Sequence, residues 1–147
     1  AFGLGVTVGV GTAIVLFANG VMLGSLAQVY AAKGMAGWFW AWILPHGIPE
    51  LTAIFIAGGA GLVLARGLVA PRGLRRGTAL RKEAVTAVKL VLGTTVLFVL
   101  AGIIEGTVSQ IHPPRLPVWL KISFALVVGA GVYAYLGSSW LRARRAP

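Results

Sequence analysis

Pro45-His46-Gly47-Ile48-Pro49-Glu50, followed by the apolar run from Leu51 to Ala65, is the stretch on which the reading of the fold turns. It sets a histidine and a carboxylate four residues apart at the mouth of a segment long enough to cross a bilayer, for which about 20 apolar residues suffice. An ionisable side chain within a membrane segment is costly, so such a pair marks a functional site by default. The chain holds only three acidic residues, and Glu105 is the other one inside an apolar run. Glu83 stands at a membrane boundary. Two transmembrane helices are therefore expected to bring His46, Glu50 and Glu105 together.

Composition agrees with that setting. Hydrophobic residues make up 58% of the chain and charged residues only 11%, against about a quarter charged in soluble domains. Mean hydropathy is +0.89, and the sequence is read as an integral membrane protein. The net charge of +10 does not point to nucleic acid, because the basic residues do not line one face. They cluster between apolar runs as Arg72, Arg75, Arg76, Arg81 and Lys82, and at the tail as Arg142, Arg144 and Arg145. The positive-inside rule reads both clusters as cytoplasmic, with anionic lipid headgroups as their partners. Without cysteine there is no thiolate nucleophile and no Cys-based metal site.

The fold class that follows is all-α, a polytopic transmembrane bundle of four to five membrane segments. Residues 1 to 32 read either as one long tilted helix or as two segments hinged at Asn19-Gly20. Residues 35–44, with Trp38, Trp40 and Trp42, are too short to span alone and read as a re-entrant or interfacial aromatic segment. Pro45 and Pro49 fit the first turn of a helix, where a missing amide hydrogen costs nothing, so the next span is expected to start at His46. After the basic loop 70–82 come a span over 83–110, a stiff proline-rich turn over 111–117 and a last span from about Val118 to Trp140. At about 1.5 Å rise per residue, Glu105 lies roughly 7 Å below Gln110, and Glu50 roughly 6 Å inside His46. The two carboxylates are thus expected at one depth, opposite the basic loop. Small residues at helical spacing, Gly5 with Gly9, Gly20 with Gly24, Gly58 with Gly61 and Gly102 with Gly106, suit close helix packing and a homodimer.

Five features together resemble the stage II sporulation protein M family. They are the HGIPE start of a glycine-rich helix (46–50), the basic loop after it (70–82), the later GIIEG (102–106), the proline-rich turn leading to Leu120-Lys121, and the opening GVTVGVGTAIVLFANGVMLG (5–24). The likeness extends over nearly the whole chain. It implies a membrane subunit without activity of its own: in spore formers the family's namesake helps to assemble cell-wall hydrolases whose lytic activity resides in its partners. Relatives usually carry a further amino-terminal region, so residues 1–147 are expected to form a single transmembrane domain in the later part of a longer protein.

Three roles compete for the polar residues. As a lock, Glu105 hydrogen-bonds His46 or Asn19 and sets helix register. As a divalent-metal site, His46, Glu50 and Glu105 act as ligands with His112 as a fourth, which would allow an intramembrane hydrolase, although no protease motif such as H-E-x-x-H occurs. As a relay, intramembrane acids serve a proton- or cation-coupled transporter or channel. The preferred reading is a non-enzymatic scaffold or membrane-remodelling subunit of the cell envelope with partners there.

Overall fold

The computed structural model describes residues 9–71, 73–111 and 115–145. The chain forms α1 (Val10–Ala32), α2 (Ala36–Val69), α3 (Arg76–Ile104), a π-helical turn (Glu105–Ser109) that continues α3, and α4 (Val118–Arg145). Among the described residues four helices are long and apolar enough to cross a membrane. The all-α transmembrane class holds, with the aromatic segment part of one of these four rather than a fifth.

Asn19-Gly20 does not break α1. Its side-chain amide donates to the Val15 carbonyl at 2.9 Å, so the polar group is satisfied along its own helix and the backbone runs on. The helix ends instead at Lys33-Gly34. Gly34 takes φ +71, its N–H bonds the Ala31 carbonyl, and the Met35 N–H reaches back to Tyr30. This is the Schellman arrangement, which ends a helix on a left-handed residue and favours glycine there. The chain then reverses directly into α2.

The aromatic segment is not a separate re-entrant piece but the first turns of α2. Pro45 and Pro49 lie inside a continuous helix of 34 residues, so the expectation that a helix starts at His46 is corrected. Each proline deprives the carbonyl four residues earlier of its amide partner. Membrane helices tolerate this where neighbouring helices supply other contacts, and both rings are fully buried. Spaced four apart, they fall on one face of α2 and serve as packing surface. At about 51 Å the helix exceeds a hydrocarbon core of about 30 Å, so its tryptophan-bearing start projects beyond the apolar slab. There Tyr30 of α1 stacks on Trp38 and Phe39, with ring centroids 5.6 and 5.1 Å apart.

Helix α2 is the axis on which the other three pack. Antiparallel α3 meets it along Ala60, Leu64 and Ala87, supported by Val63, Leu80, Ala84 and Val91. The backbones come close at Gly67, where a Cβ would sit 3.0 Å from Leu80 Cα and 3.3 Å from the Ala79 carbonyl oxygen. Arg66 donates to both oxygens of Glu83 at 2.9 and 2.8 Å. Helix α4 runs parallel to α2, with Ile48 against Gly129 and the Thr52 hydroxyl 3.4 Å from that of Tyr133. Helix α1 leans on α2 through Leu16, which fills the space beside Gly58.

These directions put the carboxyl ends of α2 and α4 and the amino end of α3 at one end of the bundle. Arg66, Arg75, Arg76, Arg81, Lys82, Arg142 and Arg144 gather there, and His46, Glu50 and Glu105 lie towards the other.

Of the glycines expected to pack, Gly58 does so against Leu16, and a Cβ on Gly9 would meet Leu62 at 2.9 Å. Gly61 is buried. Gly20, Gly24, Gly102 and Gly106 have open space where a Cβ would be, so they pack against nothing among the described residues. Gly67 and Gly129 take that role instead. Gly5, Arg72 and His112 lie outside the described residues.

Candidate functional site: a buried His–Ser–Lys junction

His46 lies one helical turn after Trp42, whose ring meets the imidazole edge-on at a centroid distance of 6.1 Å. Only 8% of its surface is exposed, so its ring nitrogens cannot rely on solvent and need partners. The partner of Nδ1 is the Ser109 hydroxyl at 2.9 Å. The Lys121 ammonium, near the start of α4, donates to the Ser109 carbonyl at 2.9 Å. Ser109 and Lys121 are both buried. One residue at the end of α3 therefore receives a polar group from α2 and another from α4.

A local irregularity places Ser109. Along α3 the buried positions Ala87, Thr94 and Ala101 recur every seven residues, a spacing that would next bury Val108. The π turn adds a residue to the helical repeat, and the fully buried residue is Ser109 instead. In the straight helix that the spacing implies, Ser109 would turn away from α2.

The expected meeting of His46, Glu50 and Glu105 does not form. The His46–Ser109 bond holds the two helices in register. Counting four residues from each partner leaves Glu50 and Glu105 at matching depth. Rotation separates them. Glu105 is exposed and Glu50 half-buried, and neither makes a hydrogen bond or ion pair among the described residues. Asn19, bonded within α1, does not join the group either. Among the described residues no group of three or more His, Cys, Asp or Glu side chains could hold a metal. The divalent-metal set and the hydrolase built on it are thus not supported by the geometry.

The cavity beside the junction, lined by Trp38, Ala41, Trp42, Ser109, Leu116, Val118 and Lys121, measures about 10 Å³. That is room for one water, whereas sites for organic ligands run to about 300–1,000 Å³. The arrangement can hold helices together, and the described space beside it is the size of a water. Lys121 could have been suspected from sequence as a cation three residues into an apolar span. Ser109 carries no such signal, because its burial depends on the π turn.

Four apolar helices, three of them joined by a buried polar junction, with cations massed at one end, define a polytopic integral membrane protein. Residues 1–110 match the model of the family described as Stage II sporulation protein M, and the chain belongs to that family. The match takes in α1, α2, α3 and the π turn, and leaves α4 with Lys121 outside. No curated protein and no solved structure shows significant similarity to the chain.

Proposed function

We propose that this protein is a non-enzymatic subunit for assembly or remodelling at the cell membrane, and that the His46–Ser109–Lys121 junction is its structural lock. The observation that carries this reading is where the buried polar groups are spent. His46 and Lys121 both bond Ser109, and the adjoining space has the size of a water rather than a substrate. Family membership supports the same role. The exposed small-residue faces at Gly20, Gly24, Gly102 and Gly106 suit contact with a second copy or an envelope partner. By the positive-inside rule the end bearing residues 70–82 and the tail faces the cytoplasm.

Because the chain has no cysteine, single-cysteine variants report contacts and topology directly. Gly24→Cys and Gly102→Cys are expected to cross-link between copies in native membranes, while Val69→Cys, at the basic end, is expected to resist a membrane-impermeant thiol reagent applied from outside intact cells. Proteoliposomes should show no proton or cation flux above that of empty vesicles. Flux that disappears in Glu105→Gln would replace the subunit reading with a transporter.

A further inference from the structure

Helices α3 and α4 both pack on α2 and make little contact with one another. Between them lies an elongated cavity of about 660 Å³, floored by Ile56 of α2 and walled by Gly93 and Leu100 of α3 and by Gly131 and Tyr135 of α4. Its lining is apolar except at one end, where Lys89 stands. We infer that this groove is a binding site for one anionic phospholipid, its acyl chain lying between α3 and α4 and its phosphate held by Lys89.

Depth supports the assignment. A hydrocarbon core takes about 20 helical residues; counted back from Ser109 they end at Leu90, and counted on from Val118 they end at Gly137. Lys89 therefore sits where the apolar slab meets the headgroups. From Lys89 to Leu100 the groove runs about 16 Å, half of a core about 30 Å thick. That is the depth of one leaflet, and it opens at the leaflet's polar surface.

Charge decides between possible occupants. Lys89 makes no hydrogen bond or ion pair among the described residues, and the groove's stripes continue outward into further cations. One heptad before Lys89 on α3 is Lys82, and one heptad after Tyr135 on α4 is Arg142. Within residues 1–147 a second copy has no acid placed to answer them. Of its three acids, Glu50 and Glu105 lie towards the opposite end and Glu83 is engaged by Arg66. A lipid phosphate supplies the missing anion together with an apolar tail of the right length. This site does not depend on the role of the His46–Ser109–Lys121 junction.

Native mass spectrometry of the purified chain, offered dioleoylphosphatidylglycerol and dioleoylphosphatidylcholine in competition, tests the site. The first lipid bound is expected to be phosphatidylglycerol by about fivefold, the factor one basic side chain near a charged membrane surface is worth. Lys89→Gln should abolish that preference, and Lys89→Arg should keep it. Gly131→Leu, which projects a side chain into open groove space, should reduce bound lipid of both kinds without changing the oligomeric mass. The paired variant Arg75→Gln with Arg76→Gln, outside the groove, should retain the preference. An undiminished preference in Lys89→Gln would overturn the proposal, as would its loss only in the Arg75 and Arg76 pair, which would mark diffuse attraction to the basic loop. Unchanged lipid binding with a changed oligomeric mass in Gly131→Leu would assign the groove to a second copy. Unaltered melting temperatures confirm that the variants fold, as expected for an exposed lysine and an open glycine.

Discussion

Helices α1 and α2 have the same mean hydropathy over their most apolar stretches, yet 6% of that stretch is buried in α1 and 44% in α2. In water, equal hydropathy would drive both helices inward. In lipid it drives neither, because an acyl chain is as apolar a neighbour as a leucine side chain. Helix α1 turns Val10, Ile14, Phe17, Val21 and Met22 outward, buries only Thr12, and meets α2 at Gly9, at Leu16 and where Tyr30 stacks on Trp38 and Phe39. Helix α2 buries Ala41, Pro45, Gly47, Pro49, Ala53, Ala60 and Gly61, small or rigid residues that let other helices approach, together with His46 and Thr52, which need polar partners. Burial in this protein is set by small and polar side chains, while hydropathy only marks which segments enter the membrane.

The sharpest way to break that comparison is to enlarge a glycine in each helix. Gly67→Ala places a methyl against the α3 backbone, which cannot rotate away as a side chain can. A loss of about 1–3 kcal/mol, the usual cost of overpacking, is expected from unfolding in mixed detergent micelles. Gly24→Ala in α1 faces open space and should cost nothing measurable in the monomer. Equal losses at the two positions would show that α1 is packed as tightly as α2.

Next in size is the junction that gives α2 its polar partners. A double-mutant cycle on His46→Ala and Ser109→Ala should return a coupling of about 0.6–1.7 kcal/mol, the range for hydrogen bonds between membrane helices. A coupling near zero would leave His46 buried for packing alone. Smaller still is the Arg66–Glu83 pair at the exposed end of the α2–α3 hairpin, where Arg66 is 47% exposed. Arg66→Gln should cost less than about 1 kcal/mol and lose its effect as salt is raised. The smallest effect is expected at Asn19. Its amide bonds only its own helix, so Asn19→Leu should leave both unfolding and cross-linking unchanged, whereas loss of association would show that the amide has a partner in another chain.

The particular residues show what could be read without coordinates. Apolar runs near the crossing length and basic clusters between them are one-dimensional features, and they located four membrane helices and the charged end. Depth is also nearly one-dimensional, because each helical residue advances about 1.5 Å; the level of His46 against the end of α3 followed from counting. Pro45 and Pro49 misled because a proline stops a helix in water but is tolerated where neighbouring helices supply other contacts. That condition is not written beside the proline.

What the amino-acid order determined by itself was therefore the class of protein, its membrane segments, its charged end and the depth of its polar groups. Only the tertiary structure decided which groups meet. Whether a side chain faces a partner depends on the rotation of its helix, and one added residue turns everything beyond it by about 100° (3.6 residues to a turn). The π turn at Glu105–Ser109 is such an addition. It leaves Glu105 facing outward, brings Ser109 to His46 and Lys121, and replaces an expected acidic cluster with a neutral hydroxyl and a backbone carbonyl that join three helices.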